Sequence, residues 1–165
     1  MKDTLSTLLT RRSIRKFKPE QITAEDLNAV LEAGTYAPSG GGRQGTLFVV
    51  AQDPALRKQL AKLNAAVLGK DFDPYYGAPT IVLVFADRTQ STPVEDGSIA
   101  LGNLFNSARA LGLGSCWIHR AREMFAGEEG QALMKRWGIE DRYVGVGACS
   151  LGYPDGEHPA AAPSK

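Results

Sequence analysis

Apolar and polar positions recur along this chain at two periods, one helical and one strand-like, and the switches between them mark out the elements. Residues 3–10 carry a short helical pattern. Thr23, with Asp26 three residues later, has the form of a capping box, and Leu27, Val30 and Leu31 follow at helical spacing until Gly34 weakens it. Residues 47–51 read as a strand, and Pro54 opens a helix that runs to about residue 68. Residues 81–85 are a continuous apolar run rich in branched side chains, the pattern of a strand buried on both faces. The best helix covers about 95–111, where Leu101, Leu104, Phe105, Ala108 and Leu111 form one apolar stripe. Gly112 and Gly114 punctuate its end; 115–119 read as a strand or extended turn, 128–137 as a helix, and 143–151 as the last strand. Helices and strands mixed in this order predict a layered α/β or α+β domain. The segment 37–44, Ala-Pro-Ser-Gly-Gly-Gly-Arg-Gln, is too rich in glycine for helix or central strand and reads as a loop.

Composition narrows the class without naming a function. With 165 residues, the chain fits one domain spanning 1–165, and its 43% apolar and 22% charged residues are an ordinary globular mix. A chain this long buries roughly two thirds of its unfolded surface without metal or disulfide staples. The formal charge of +1 gives no global pull toward nucleic acid or anionic membrane, so any electrostatic function must come from local clusters. Cys116 and Cys149 lie in apolar runs and read as buried free thiols of a reducing compartment. No signal-like stretch or membrane-length run occurs, which makes the cytoplasm the expected location. The tail, EHPAAAPSK, reads as extended or mobile.

Three clusters could carry chemistry. Residues 11–18 contain five basic side chains in eight. Such a run is a solvated surface, a nucleic-acid patch or an anion site, and no aromatic stacking platform accompanies it. As an anion site, Arg11, Ser13 and Arg15 would share one side of an extended segment, two guanidinium forks with a hydroxyl between them. Such a set suits a terminal phosphate and neighbouring hydroxyls. The three glycines of 40–42 permit positive φ and a close ligand approach, or form a plain flexible turn. They lack the Lys-Ser/Thr ending of a nucleotide loop, and 112–117 is no dinucleotide fingerprint. In the third cluster, 112–120, Trp117 could fill core space and Cys116 reads as an inert thiol. Neither His119 nor His158 has partners at ligand or triad spacing, so neither a metal site nor a Ser-His-acid triad is expected.

Together the clusters resemble the nitroreductase family of small flavoproteins. The matching motifs are RRSIRKF at 11–17, APSGGGRQ at 37–44, APTIVLVF with DGSIALGNLFNSARALGLGSCWI at 78–85 and 96–118, and VGVGACSLGYP at 144–154. The resemblance implies an α+β fold, a central and mainly antiparallel sheet flanked by helices. It also implies a homodimer with FMN at the interface, no nucleic-acid or membrane partner and no catalytic acid or base. The implied reaction has two steps: NAD(P)H passes a hydride to N5 of the flavin and leaves, then an organic acceptor, such as a nitroaromatic or a quinone, takes the electrons.

Residue by residue, the resemblance assigns Arg11, Arg12, Ser13 and Arg15 to the flavin-binding start. Arg11 and Ser13 would hold the phosphate and ribityl region, with Arg15 at the N1–C2 carbonyl edge. Pro38, Ser39 and Gly40 would touch the flavin from the partner subunit, Gln44 matches a glutamine of that loop, and the backbone of Ile118 and His119 would face N5. The stripe on 95–111 is either the dimer core or a face of the chain's own core. Departures from the pattern are Gly42 where relatives have Asn, Gly45 where an aromatic is common, His119-Arg120 in place of small residues, and a short or missing C-terminal arm. A flavin-binding module without turnover and a small nucleic-acid-binding domain are the rival readings.

Overall fold

A computed structural model, which describes residues 2–158, 160 and 163, is arranged around strand β2 (Thr80–Asp87), every residue of which is buried. The other strands are β1 (Thr46–Ala51), β3 (Gly114–Ile118) and β4 (Tyr143–Gly152), paired antiparallel in the order β1-β2-β4-β3. The helices are α1 (Lys2–Thr10), α2 (Ala24–Thr35), α3 (Pro54–Leu68), α4 (Pro93–Ala110), α5 (Ala121–Ala126) and α6 (Glu128–Arg136).

The unbroken apolar run of β2 follows from helices on both faces of the sheet. Its side chains alternate: Ile81, Leu83 and Phe85 pack with Leu60 of α3, Met124 and Phe125 of α5 and Leu133 of α6. Val82 and Val84 pack on the opposite face with Val30 of α2 and Leu101, Leu104 and Ala108 of α4. The α+β expectation holds. The α4 stripe is therefore a face of the chain's own core and not a dimer core, with Leu111 alone of its leucines left exposed.

Local chemistry sets the helix starts. The Thr23 hydroxyl accepts the Asp26 N–H at 3.0 Å, and the Asp53 carboxylate accepts the Leu56 N–H at 2.8 Å ahead of Pro54. Two elements differ from expectation. Gly40–Gly42 form a single 3₁₀ turn inside the glycine segment, where Gly41 and Gly42 adopt φ of 61° and 67° that a larger residue would resist. Helix α5 is a six-residue element buried through Ala121, Met124 and Phe125, too short to give a period in the sequence. In the tail expected to be extended or mobile, residues 159, 161, 162, 164 and 165 lie outside the described residues. Among the described residues no helix is long and apolar enough to cross a membrane.

Candidate functional site

After α1 the basic segment runs out along the free edge of β3. Ser13 bridges Ser115 in parallel, and the Ile14 N–H donates to the Ser115 carbonyl at 2.9 Å. The segment next touches the sheet at the end of β4, where Phe17 bridges Pro154 and the Lys18 N–H donates to the Tyr153 carbonyl at 2.9 Å. Beyond Ser115 the edge of β3 is therefore uncovered. Peptide groups along a strand point alternately to either side. Because the Ser115 carbonyl faces outward, the peptide groups of Trp117 face outward too, while that of Ile118 faces β4.

Side chains along the segment alternate as well. Arg15, Ser13 and Arg11 all act on the Cys116 thiol, pulling its pKa down against a larger upward push from burial, so the thiol stays above its ordinary value. All three lie within electrostatic reach of that thiol. Arg12 and Ile14 instead line a cavity on the other side. Arg15 also lies over the Tyr76 ring, 5.9 Å from its centroid.

The link from β3 to α5 is held by a residue that sequence reading passed over. Asn64 of α3 is fully buried; its amide N–H donates to the His119 carbonyl at 2.9 Å, and its oxygen accepts from Arg120 Nε at 2.8 Å. Arg120 sits at φ 79°, a left-handed conformation costly for a residue other than glycine, so these bonds hold a strained turn beside the open strand edge. The available signal was an amide four residues after Leu60 on the buried side of a helix. Trp117 does not fill core space: it is 52% exposed, its ring 5.4 Å from that of His119 on the outer rim.

The glycine segment is anchored elsewhere. The Gly40 N–H donates to Asp96 Oδ1 at 2.9 Å, and the Thr92 hydroxyl donates to the same oxygen at 3.0 Å, fixing the turn to the start of α4. The Gln44 N–H donates to Ser39 Oγ at 2.8 Å, and its side chain reaches the Ala37 carbonyl at 3.2 Å. At the other end of α4, Arg109 Nε donates to Thr10 Oγ1 at 3.1 Å, beside the basic segment. Asp96 and Arg109 are thirteen residues apart on one helix, about 20 Å along its axis at ~1.5 Å per residue. Within one chain, then, Arg11, Ser13, Arg15 and the β3 edge come together, while Pro38, Ser39, Gly40 and Gln44 do not join them. No group of three or more His, Cys, Asp or Glu side chains that could hold a metal occurs among the described residues.

A model of the Nitroreductase family matches residues 8–71 and 67–153. The chain belongs to the nitroreductase family. Among solved structures it is similar to the Bacteroides fragilis nitroreductase with bound FMN, with a TM-score of 0.90 and 31% identity over 98% of this chain and 94% of that one. An FMN-dependent nitroreductase from Clostridium difficile superposes with a TM-score of 0.89 at 29% identity, covering 98% of this chain and 95% of that one. By sequence it is 36% identical over 163 residues to an Archaeoglobus fulgidus protein provisionally named NADH dehydrogenase/NAD(P)H nitroreductase, covering 95% of this chain and 88% of the relative.

Proposed function

We propose that this nitroreductase-family chain binds FMN and acts as an oxidoreductase between NAD(P)H and a small organic acceptor, working as a homodimer. The observation that carries the reading is the uncovered edge of β3, with its outward peptide groups at Trp117, lying near the side chains of Arg11, Ser13 and Arg15. A flat heteroaromatic ring with hydrogen-bonding edges and a phosphate tail matches that combination: peptide donors for the ring, cations and a hydroxyl for the tail. The FMN of the Bacteroides fragilis structure and the name of the Clostridium difficile enzyme support it further.

FMN, when bound, supplies two-electron chemistry, taking a hydride from a reduced nicotinamide and giving electrons to an acceptor. The chain's own residues do the rest. Arg11 and Ser13 hold the phosphate and ribityl region, and Arg12 belongs to the same binding start. Arg15 places a fixed cation at the ring edge where negative charge develops on reduction. The backbone of Ile118 and His119 would serve the N5 side of the flavin, and Asn64 keeps the turn after them from relaxing. Pro38, Ser39, Gly40 and Gln44, about 20 Å away along α4, can join this site only from a second copy. The leucines that α1 leaves exposed, Leu5, Leu8 and Leu9, provide apolar surface for that pairing.

An absorbance spectrum of the purified protein, repeated anaerobically after NADH or NADPH, tests this. Flavin bands that bleach with a donor support the reductase and name the donor. Bands that persist with both donors point to a flavin-binding module without turnover. Colourless protein that takes up no added FMN overturns the reading.

A further inference from the structure

Three of the described residues other than glycine hold a positive φ: Gln44 at 50°, Tyr76 at 59° and Arg120 at 79°. Gln44 belongs to the glycine segment and Arg120 to the turn after β3, so both border parts of the proposed site. Tyr76 has no part in it so far. For an aromatic residue this conformation is an outlier that persists only where the surroundings force it. Here they do. The Tyr75 and Gly77 N–H groups donate to the Asp73 carboxylate at 2.8 and 2.7 Å, and the Tyr76 N–H donates to the Asp73 carbonyl at 3.1 Å. On either side, the Tyr75 carbonyl accepts from Ser150 Oγ at 3.1 Å and the Ala78 carbonyl from Arg57 Nη1 at 3.0 Å. Glycine would occupy position 76 without strain, so the chain keeps a ring there against the preference of its own backbone.

That ring meets Arg15, whose guanidinium carbon lies 5.9 Å from its centroid. It also packs against the core cluster that contains Cys116, the thiol on which Arg15 acts. Arg15 is exposed and forms no ion pair among the described residues, where the pairs join Lys16 to Asp155 and Arg142 to Asp87 and Glu140. A free arginine of this kind spreads over many rotamers, and an aromatic face within about 6 Å restricts them.

We propose that Tyr76 is a positioning residue: its ring, set by the strained turn 73–78, holds the Arg15 guanidinium at the flavin edge where negative charge develops, a role that rests on the flavin reading above. Tyr76 acts through Arg15 and not on a reacting atom. Its ring therefore tunes the balance between oxidised and reduced flavin, because a cation held in place stabilises the reduced form more than one that wanders.

The test compares Tyr76→Phe, which keeps the ring, with Tyr76→Gly, which removes it and suits the backbone of the turn. The midpoint potential of protein-bound FMN should fall by about 20 mV in Tyr76→Gly, a roughly fivefold weaker preference for the reduced flavin. In Tyr76→Phe it should stay at the wild-type value. In an Arg15→Ala background, Tyr76→Gly should shift it no further. An unchanged potential in Tyr76→Gly overturns the proposal, and so does an equal fall in Tyr76→Phe, which would assign the effect to the hydroxyl. A fall of the same size without Arg15 also overturns it, by showing that the ring acts on the flavin directly. The pairing itself is read without flavin, from the Arg15 Nε–H proton resonance, assigned by its loss in Arg15→Ala. It should carry a ring-current shift that Tyr76→Gly removes and Tyr76→Phe keeps; a resonance indifferent to Tyr76→Gly overturns the pairing whatever the flavin does. Protein that shows this shift and takes up no FMN refutes the flavin reading, and the positioning role with it, and upholds the Tyr76–Arg15 pair.

Discussion

Asn64 of α3 and His119, just after β3, are joined by a 2.9 Å hydrogen bond from the Asn64 amide to the His119 carbonyl. The Asn64 oxygen is in turn occupied by Arg120, so a single buried side chain satisfies two groups of the link between β3 and α5. That link is where the outward peptide edge ends, and its geometry depends on a helix that contributes nothing else to the site.

Asn64→Leu should therefore cost about 2 kcal/mol or more, because the His119 carbonyl and the Arg120 guanidinium both lose a partner in a buried place. Urea unfolding measures it. A cost within error of zero would mean water replaces the amide and the turn is not held by Asn64.

Dimer formation should be required for flavin retention. Leu5→Glu combined with Leu9→Glu places charges on the apolar surface of α1, and both side chains lie outside the chain's own core. Light scattering should report a monomer for this variant and a dimer for the wild type, with bound flavin lost in parallel. A monomeric wild type that keeps its flavin would contradict the two-copy site.

Glycines differ sharply in what they tolerate. A Cβ on Gly145 would stand 2.5 Å from the Ala121 carbonyl oxygen, part of a backbone that cannot swing aside. Gly145→Ala should cost on the order of 3 kcal/mol by overpacking. Gly42 has open space around it at φ 67°, so Gly42→Asn, whose side chain tolerates the left-handed region, should change stability by roughly 0.5 kcal/mol or less. Thermal unfolding of the two variants separates these effects.

Acid should weaken the junction of β2 with the loop before β4. The Thr89 hydroxyl and N–H, at 2.7 and 2.9 Å, and then Arg142, hold the Asp87 carboxyl below its ordinary range. The unfolded chain thus binds this proton more readily than the folded one. The contribution is complete above the usual aspartate value of about 4 and is lost as pH falls through the lower folded value. Asp87→Asn should reduce stability at neutral pH and lose less on acidification than the wild type, as urea midpoints at about pH 7 and pH 3 would show.

Much of this molecule was legible in its sequence. The run 81–85 announced a strand covered on both faces, and Thr23 and Pro54 marked two helix starts. Periodicity could not say whether the α4 stripe met a second copy or the chain itself, since both present the same pattern. Nor could it find α5, one and a half turns long, or the role of Asn64, whose partners lie 55 and 56 residues away. The tilt of the glycine segment into a 3₁₀ turn came from Asp96, another contact remote in sequence.

The bridge between Ser13 and Ser115 has a consequence for how the protein behaves in company. Open strand edges invite other strands, and most proteins blunt them with bulges, prolines or inward charges. Here the N-terminal segment guards β3 at a single residue and then turns away, so the remaining stretch is open to a bound group or a second chain. A ring laid along it would act as a chaperone as well as a reagent, and the purified protein should stay dispersed longest when that ring is supplied.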